Sequence, residues 1–94
     1  MRFARPPEGF RIVLSDLAAL TLETSAVSFP RLPAIWDAHC ERLRFTAHRD
    51  GLPLSRNRQV IKFEGDAAFG IPTTAAVYVV VGDRVEVEKI LVVA

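Results

Sequence analysis

The sequence predicts an α+β domain, with two helices packed on one face of a small antiparallel sheet. Three observations carry this. Thr73–Val81 and Arg84–Val93 are β-rich runs separated only by Gly82-Asp83, a two-residue hairpin signal. The stretch after Pro33 places apolar residues at helical spacing. Phe10–Leu14 alternates, with Phe10, Ile12 and Leu14 on one side and Arg11 and Val13 on the other. The predicted order is β-α-α-β-β-β.

The first nine residues, with Pro6, Pro7 and Gly9, read as a loose lead-in to that first strand. Ser15 and Asp16 both suit a helix N-cap. Leu17–Thr24 then reads as a short helix with Leu17 and Leu20 inward, although the alternation of Leu20, Leu22 and Thr24 also fits extended chain. Pro30 and Pro33 mark a break, and Pro33 suits the first turn of a second helix, where its missing N–H costs nothing. Leu32, Ile35, Trp36, His39 or Cys40, Leu43 and Ala47 form the apolar stripe, with Trp36 and Leu43 as core anchors. Arg49-Asp50-Gly51 ends this helix, with basic residues at the negative end of the helix dipole and Gly51 expected as a left-handed cap. Leu52–Asn57 reads as a loop, Gln59–Glu64 as the second strand, and Gly65–Pro72 as a flexible connection with Phe69 as an aromatic contact point. Thr73–Val81 is apolar on both faces, which predicts a central strand.

Ninety-four residues make one domain, here 1–94, and half of them are hydrophobic and 24% charged, a globular balance. A single cysteine, Cys40, makes no internal disulfide, which points to a reducing, cytoplasmic setting. No segment has signal-peptide character and no apolar run has the length to span a bilayer, so no membrane association is expected. Residues 42–62 hold Arg42, Arg44, Arg49, Arg56, Arg58 and Lys62 against Asp50 alone, a local charge of +5 within a chain of net +1. Such clustering is the footprint of a polyanion-binding surface, but on charge alone a solvated helix face followed by a polar loop is the favoured reading.

Element order, length and three segments make the chain resemble the RelE/ParE superfamily of type II toxin-antitoxin toxins. FRIVLSD resembles the family's opening strand and turn into helix. ERLRFTAHRDGLPL resembles its helix ending in a basic segment and glycine, and AAVYVVVGDRVEVEKILVV its central tyrosine-bearing strand and hairpin. The resemblance covers roughly residues 9 to 93. It implies a bacterial, cytoplasmic toxin, neutralised by an antitoxin, that cuts ribosome-bound mRNA or inhibits DNA gyrase. RNA cleavage in this family needs no metal or other cofactor, but it needs an acid, a base and cations around the phosphate. The implied catalytic candidates are Arg56, Arg58, Lys62, Tyr78 and His48, and the RNA-contacting set is Arg42, Arg44, Arg49, Arg56, Arg58 and Lys62. The chain departs from the RNA-cutting pattern at Thr74-Ala75-Ala76, where such members usually carry an arginine, and no arginine or tyrosine follows Val93. That incomplete set makes a catalytically inactive protein-interaction module on the same fold the alternative reading.

Adjacent His39 and Cys40 point about 100° apart on a helix, so they form no dyad. Two histidines and one cysteine without motif spacing predict no metal site, and Gly65–Gly70 lacks the Lys-Ser/Thr of a phosphate loop. The apolar end of the last strand, Ile90–Val93, is a sticky edge if uncovered. An antitoxin segment, a second copy in a homodimer, or the chain's own N-terminal strand or helix would cover it.

Overall fold

In the computed structural model, which describes residues 6–93, the chain folds as β1 (Arg11–Leu14), α1 (Asp16–Ser28), α2 (Leu32–Asp50), β2 (Leu52–Ser55), β3 (Arg58–Phe63), β4 (Thr73–Val81) and β5 (Arg84–Val93). A single turn of 3-10 helix, Ala67–Phe69, lies between β3 and β4. One sheet contains all five strands in the order β1-β5-β4-β3-β2. Every pairing is antiparallel except β1 with β5, which is parallel. The α+β class with both helices on one face is the one the sequence predicts, and β4 and β5 keep their expected bounds. Of the predicted lead-in, Pro6–Gly9 forms a hydrogen-bonded turn, Gly9 N–H to Pro6 O at 2.9 Å, and residues 1–5 lie outside the described residues.

Ser15 ends β1 and starts α1. Its amide donates to Val87 O at 2.9 Å, its hydroxyl donates to Glu88 O at 2.6 Å, and the same oxygen accepts from Ala18 N–H at 3.0 Å. One side chain therefore caps the helix and ties it to the middle of β5. This tie fixes the rotation of α1. Ala18 is fully buried and Leu22 packs against the core, whereas Leu17 and Leu20, expected inward, are each 55% exposed. A small residue at the contact lets the helix lie close to the sheet, and the larger leucines turn outward.

In α2 the expected stripe is realised, with Leu32, Trp36, Leu43 and Ala47 buried. Gly51 differs from expectation: its φ of −75° and ψ of 149° are extended, not left-handed. Glycine stands there for clearance, because a Cβ would collide with the Tyr78 hydroxyl and lie 2.8 Å from Gln59 Oε1. Gly82 does take the left-handed conformation, φ 59°, in the β4–β5 turn.

The segment expected as a loop, 52–57, is instead a strand and a turn. Leu52 pairs with Val60 and Ser55 with Arg58, and Arg56, with φ 43°, forms the turn with Asn57. Pro53 is accommodated because β2 is an edge of the sheet, where proline is tolerated.

The helix-side core is built from alternating strand positions: Ile61 and Phe63 of β3, Thr74, Ala76, Tyr78 and Val80 of β4, and Val85, Val87 and Ile90 of β5. The register across β4–β5 shifts between Val77 and Tyr78, leaving Glu88 as the extra residue of a bulge. That bulge returns Ile90 and Val92 to the face that Val85 and Val87 already occupy. It resolves the apparently two-sided apolar pattern at the end of β5. β1 pairs with Arg84–Val87, so Lys89–Val93 has no strand neighbour on that side among the described residues, although α1 packs against β5.

Candidate functional site

The alternation that buries one face of the sheet leaves the other free of helices. On that open face stand Arg58, Val60 and Lys62 of β3, Ala75, Val77, Val79 and Val81 of β4, and Arg84, Glu86, Lys89, Leu91 and Val93 of β5. Val81, Leu91 and Val93 are 40%, 45% and 58% exposed, and Val13 of β1 adds to them at 41%. The face is therefore apolar along its centre and charged around it.

Most of its charges are paired, and Lys89 is exposed with no ion pair among the described residues. Arg58 Nε lies 2.6 Å from Glu88 Oε1, a bond that runs from β3 to β5 across the intervening β4. Lys62 Nζ is 3.0 Å from Glu64 Oε1, and Arg84 reaches Glu86 at 3.3 Å. These pairs are all solvent-accessible and contribute about 0–1 kcal/mol each, so they set the charge pattern more than the stability.

Of the catalytic candidates, only Arg58 and Lys62 share this face. Tyr78 points to the other side of the sheet, with Gln59, Ile61 and Phe63 of β3. It is fully buried, and its hydroxyl donates to Ala47 O in the last turn of α2 at 2.7 Å. Burial, with the Asp50 carboxylate adding to it, pushes the phenol up to about 12. In that position it satisfies a helix-terminal carbonyl. His48 is also on the helix side, its ring 5.7 Å from that of Phe10 and its Nδ1 buried without a hydrogen-bond partner among the described residues. Arg56 stands in the β2–β3 turn, exposed and without an ion pair among the described residues. The fold thus distributes the five candidates over three places.

The cations of the basic stretch are likewise spread out. Arg42 pairs with Asp50 at 3.3 Å and lies 5.7 Å from the Phe63 ring centroid. Arg44 pairs with Glu41 at 2.9 Å and donates to Glu8 O at 2.8 Å. Arg49 lies 3.7 Å from Asp50. The helix cations and the strand cations consequently sit on opposite sides of the sheet.

Sequence reading passed over a cluster at the middle of α2. His39 stacks on Phe63 at 3.9 Å with the rings 7° from parallel, and Trp36 meets both edge-on. Burial, with Arg42 nearby, lowers the His39 pKa. Cys40 lines a groove beside β1, and burial, with Asp37 and Glu41 adding to it, pushes its thiol up to about 11. A thiol so raised is a poor nucleophile at neutral pH. No cluster of metal-ligating side chains occurs among the described residues.

No helix is long and apolar enough to cross a membrane among the described residues. No family model, curated protein or solved structure matches this chain.

Proposed function

We propose that this chain is a toxin-like binding domain of the RelE/ParE kind, acting from the open sheet face on a macromolecular target and cutting no RNA. One observation carries the non-cleaving reading: Tyr78 and His48 lie on the helix side of the sheet, away from Arg58 and Lys62. An acid, a base and a phosphate-stabilising cation must converge within hydrogen-bond reach of one reacting group. What supports a binding role is the open face itself, with Val60, Val77 and Val79 half-buried at its centre and alternating charges beside them. An apolar centre with a polar rim is the anatomy of a protein interface. Within this reading the setting is the bacterial cytoplasm and an antitoxin neutralises the domain. The target is a protein surface such as gyrase in preference to mRNA.

The test is inducible expression in a bacterial host alongside a ribosome-dependent mRNA cleavage assay. Expression of the intact chain is expected to arrest growth with mRNA left whole. The open-face variant Val79→Lys, shown to be folded by circular dichroism, is expected to restore growth. Cleavage that depends on Arg58 and Lys62 would revive the nuclease reading. Unimpaired growth on the intact, soluble chain would remove the toxin element and leave a plain interaction module.

A further inference from the structure

Among the described residues β1 is a free edge of the sheet. The amides of Arg11 and Ser15 donate to Asp83 O and Val87 O of the β5 side, at 2.8 and 2.9 Å. By the alternation of a strand, the N–H and C=O groups of Ile12 and Leu14 therefore point away from the sheet. Beside this edge runs a cavity of about 690 Å³, lined by Phe10, Ile12, Leu14, Trp36 and Cys40. A second cavity of about 400 Å³, lined by Leu22, Ala26 and Pro33, meets it at Leu14, Trp36 and Asp37. The Trp36 indole N–H is buried with no acceptor among the described residues, although Trp36 lines both cavities. Such a donor costs stability until something supplies an acceptor.

The rim carries one sign of free charge. Arg11 is paired with Asp83 and Arg44 with Glu41. Glu8 and Asp37 on the first cavity and Glu23 on the second are exposed and have no ion pair among the described residues. An unpaired strand edge, an apolar floor and unpaired carboxylates above it define one kind of occupant. We infer that this groove binds an extended peptide from another polypeptide, which adds as a strand to β1. Its apolar side chains face the groove, and its lysines or arginines meet Asp37, Glu8 and Glu23. Backbone bonds give such a complex affinity, alternate side chains give it register, and charge complementarity sets its specificity. The site lies on the β1 edge, apart from the β3–β4 valines of the open face, so it stands or falls independently of the target-binding reading.

The experiment is selection of short random peptides displayed on phage against the immobilised full chain. Enriched peptides are expected to alternate apolar residues with Lys or Arg. A synthetic copy of the best one should slow hydrogen exchange at the Ile12 and Leu14 amides. Asp37→Lys should weaken it at least tenfold, while Val79→Lys leaves its affinity unchanged. Absence of enrichment, peptides without basic residues, or protection at Leu52–Ser55 in place of Ile12 and Leu14 would each overturn the inference. So would concentration-dependent protection of Ile12 and Leu14 in the chain alone, which would give the groove to a second copy.

Discussion

Tyr78 shows how one residue changes meaning between sequence and structure. In the sequence it is the one tyrosine, on the strand where a toxin-like chain invites a catalytic reading. In the fold it is a core side chain whose hydroxyl holds Ala47 O, under the clearance that Gly51 provides. Its tie to α2 has a pH signature. The folded phenol, at about 12, lies above the ordinary value of 10, so the unfolded chain releases this proton first as pH rises. The stability associated with Tyr78 is complete below pH 10 and is lost as pH rises towards 12. Cys40 acts in the same sense, between 9 and about 11. Thermal melts from pH 8 to 12 are expected to show a falling midpoint in the intact chain and a shallower fall in Tyr78→Phe. The Cys40→Ala background separates the two groups. Because the chain has one tyrosine, ultraviolet titration reads this phenol directly, and an ordinary midpoint near 10 would contradict the buried placement.

At the scale of elements, most of the architecture was legible because local patterns coincided with tertiary ones. The Gly82-Asp83 hairpin needed only two turn residues between β-rich runs, and α2 needed only its apolar stripe. The failures share one cause, which is that neighbours far along the chain decided the outcome. β2 was hidden because Pro53 is tolerable only on an edge, and being an edge is a property of the sheet. The phase of α1 was hidden because Ser15 sets it through Val87 and Glu88, more than seventy residues away. Propensity alone left α1 ambiguous with extended chain; the cap and the tie decide it. Ser15→Ala removes both side-chain bonds and is expected to cost about 1–2 kcal/mol, the upper part of the range for a lost cap. Ser15→Thr should recover most of this. Chemical denaturation measures both, and a loss below a few tenths of a kcal/mol for Ser15→Ala would show that α1 is held by packing alone.

Over the whole molecule, the charge pattern decides what kind of partner the surface suits. Residues 42–62 carry +5 in the sequence, which reads as a polyanion site. The fold disperses it: Arg42 and Arg49 share Asp50, Arg44 takes Glu41, Lys62 takes Glu64, and Arg58 crosses the sheet to Glu88, thirty residues away. None of these pairings except the near neighbours is visible in a linear reading. Helix and strand cations also face opposite directions, so one strand of RNA cannot meet all six. Counterion release converts this into a number. Six phosphate contacts with single-stranded RNA would give a slope of log affinity against log salt of about −4, since each contact contributes roughly −0.7. Among these six only Arg56 is free of an ion pair within the described residues. A fluorescent oligouridylate titrated with the full chain at several salt concentrations is therefore expected to bind weakly, with a slope no steeper than about −1. A slope near −4 would mean that the ion pairs open and the cations converge on phosphate. In that case the open face would have to be read as a nucleic-acid surface, and its half-buried valines as a base-stacking floor instead of a protein contact.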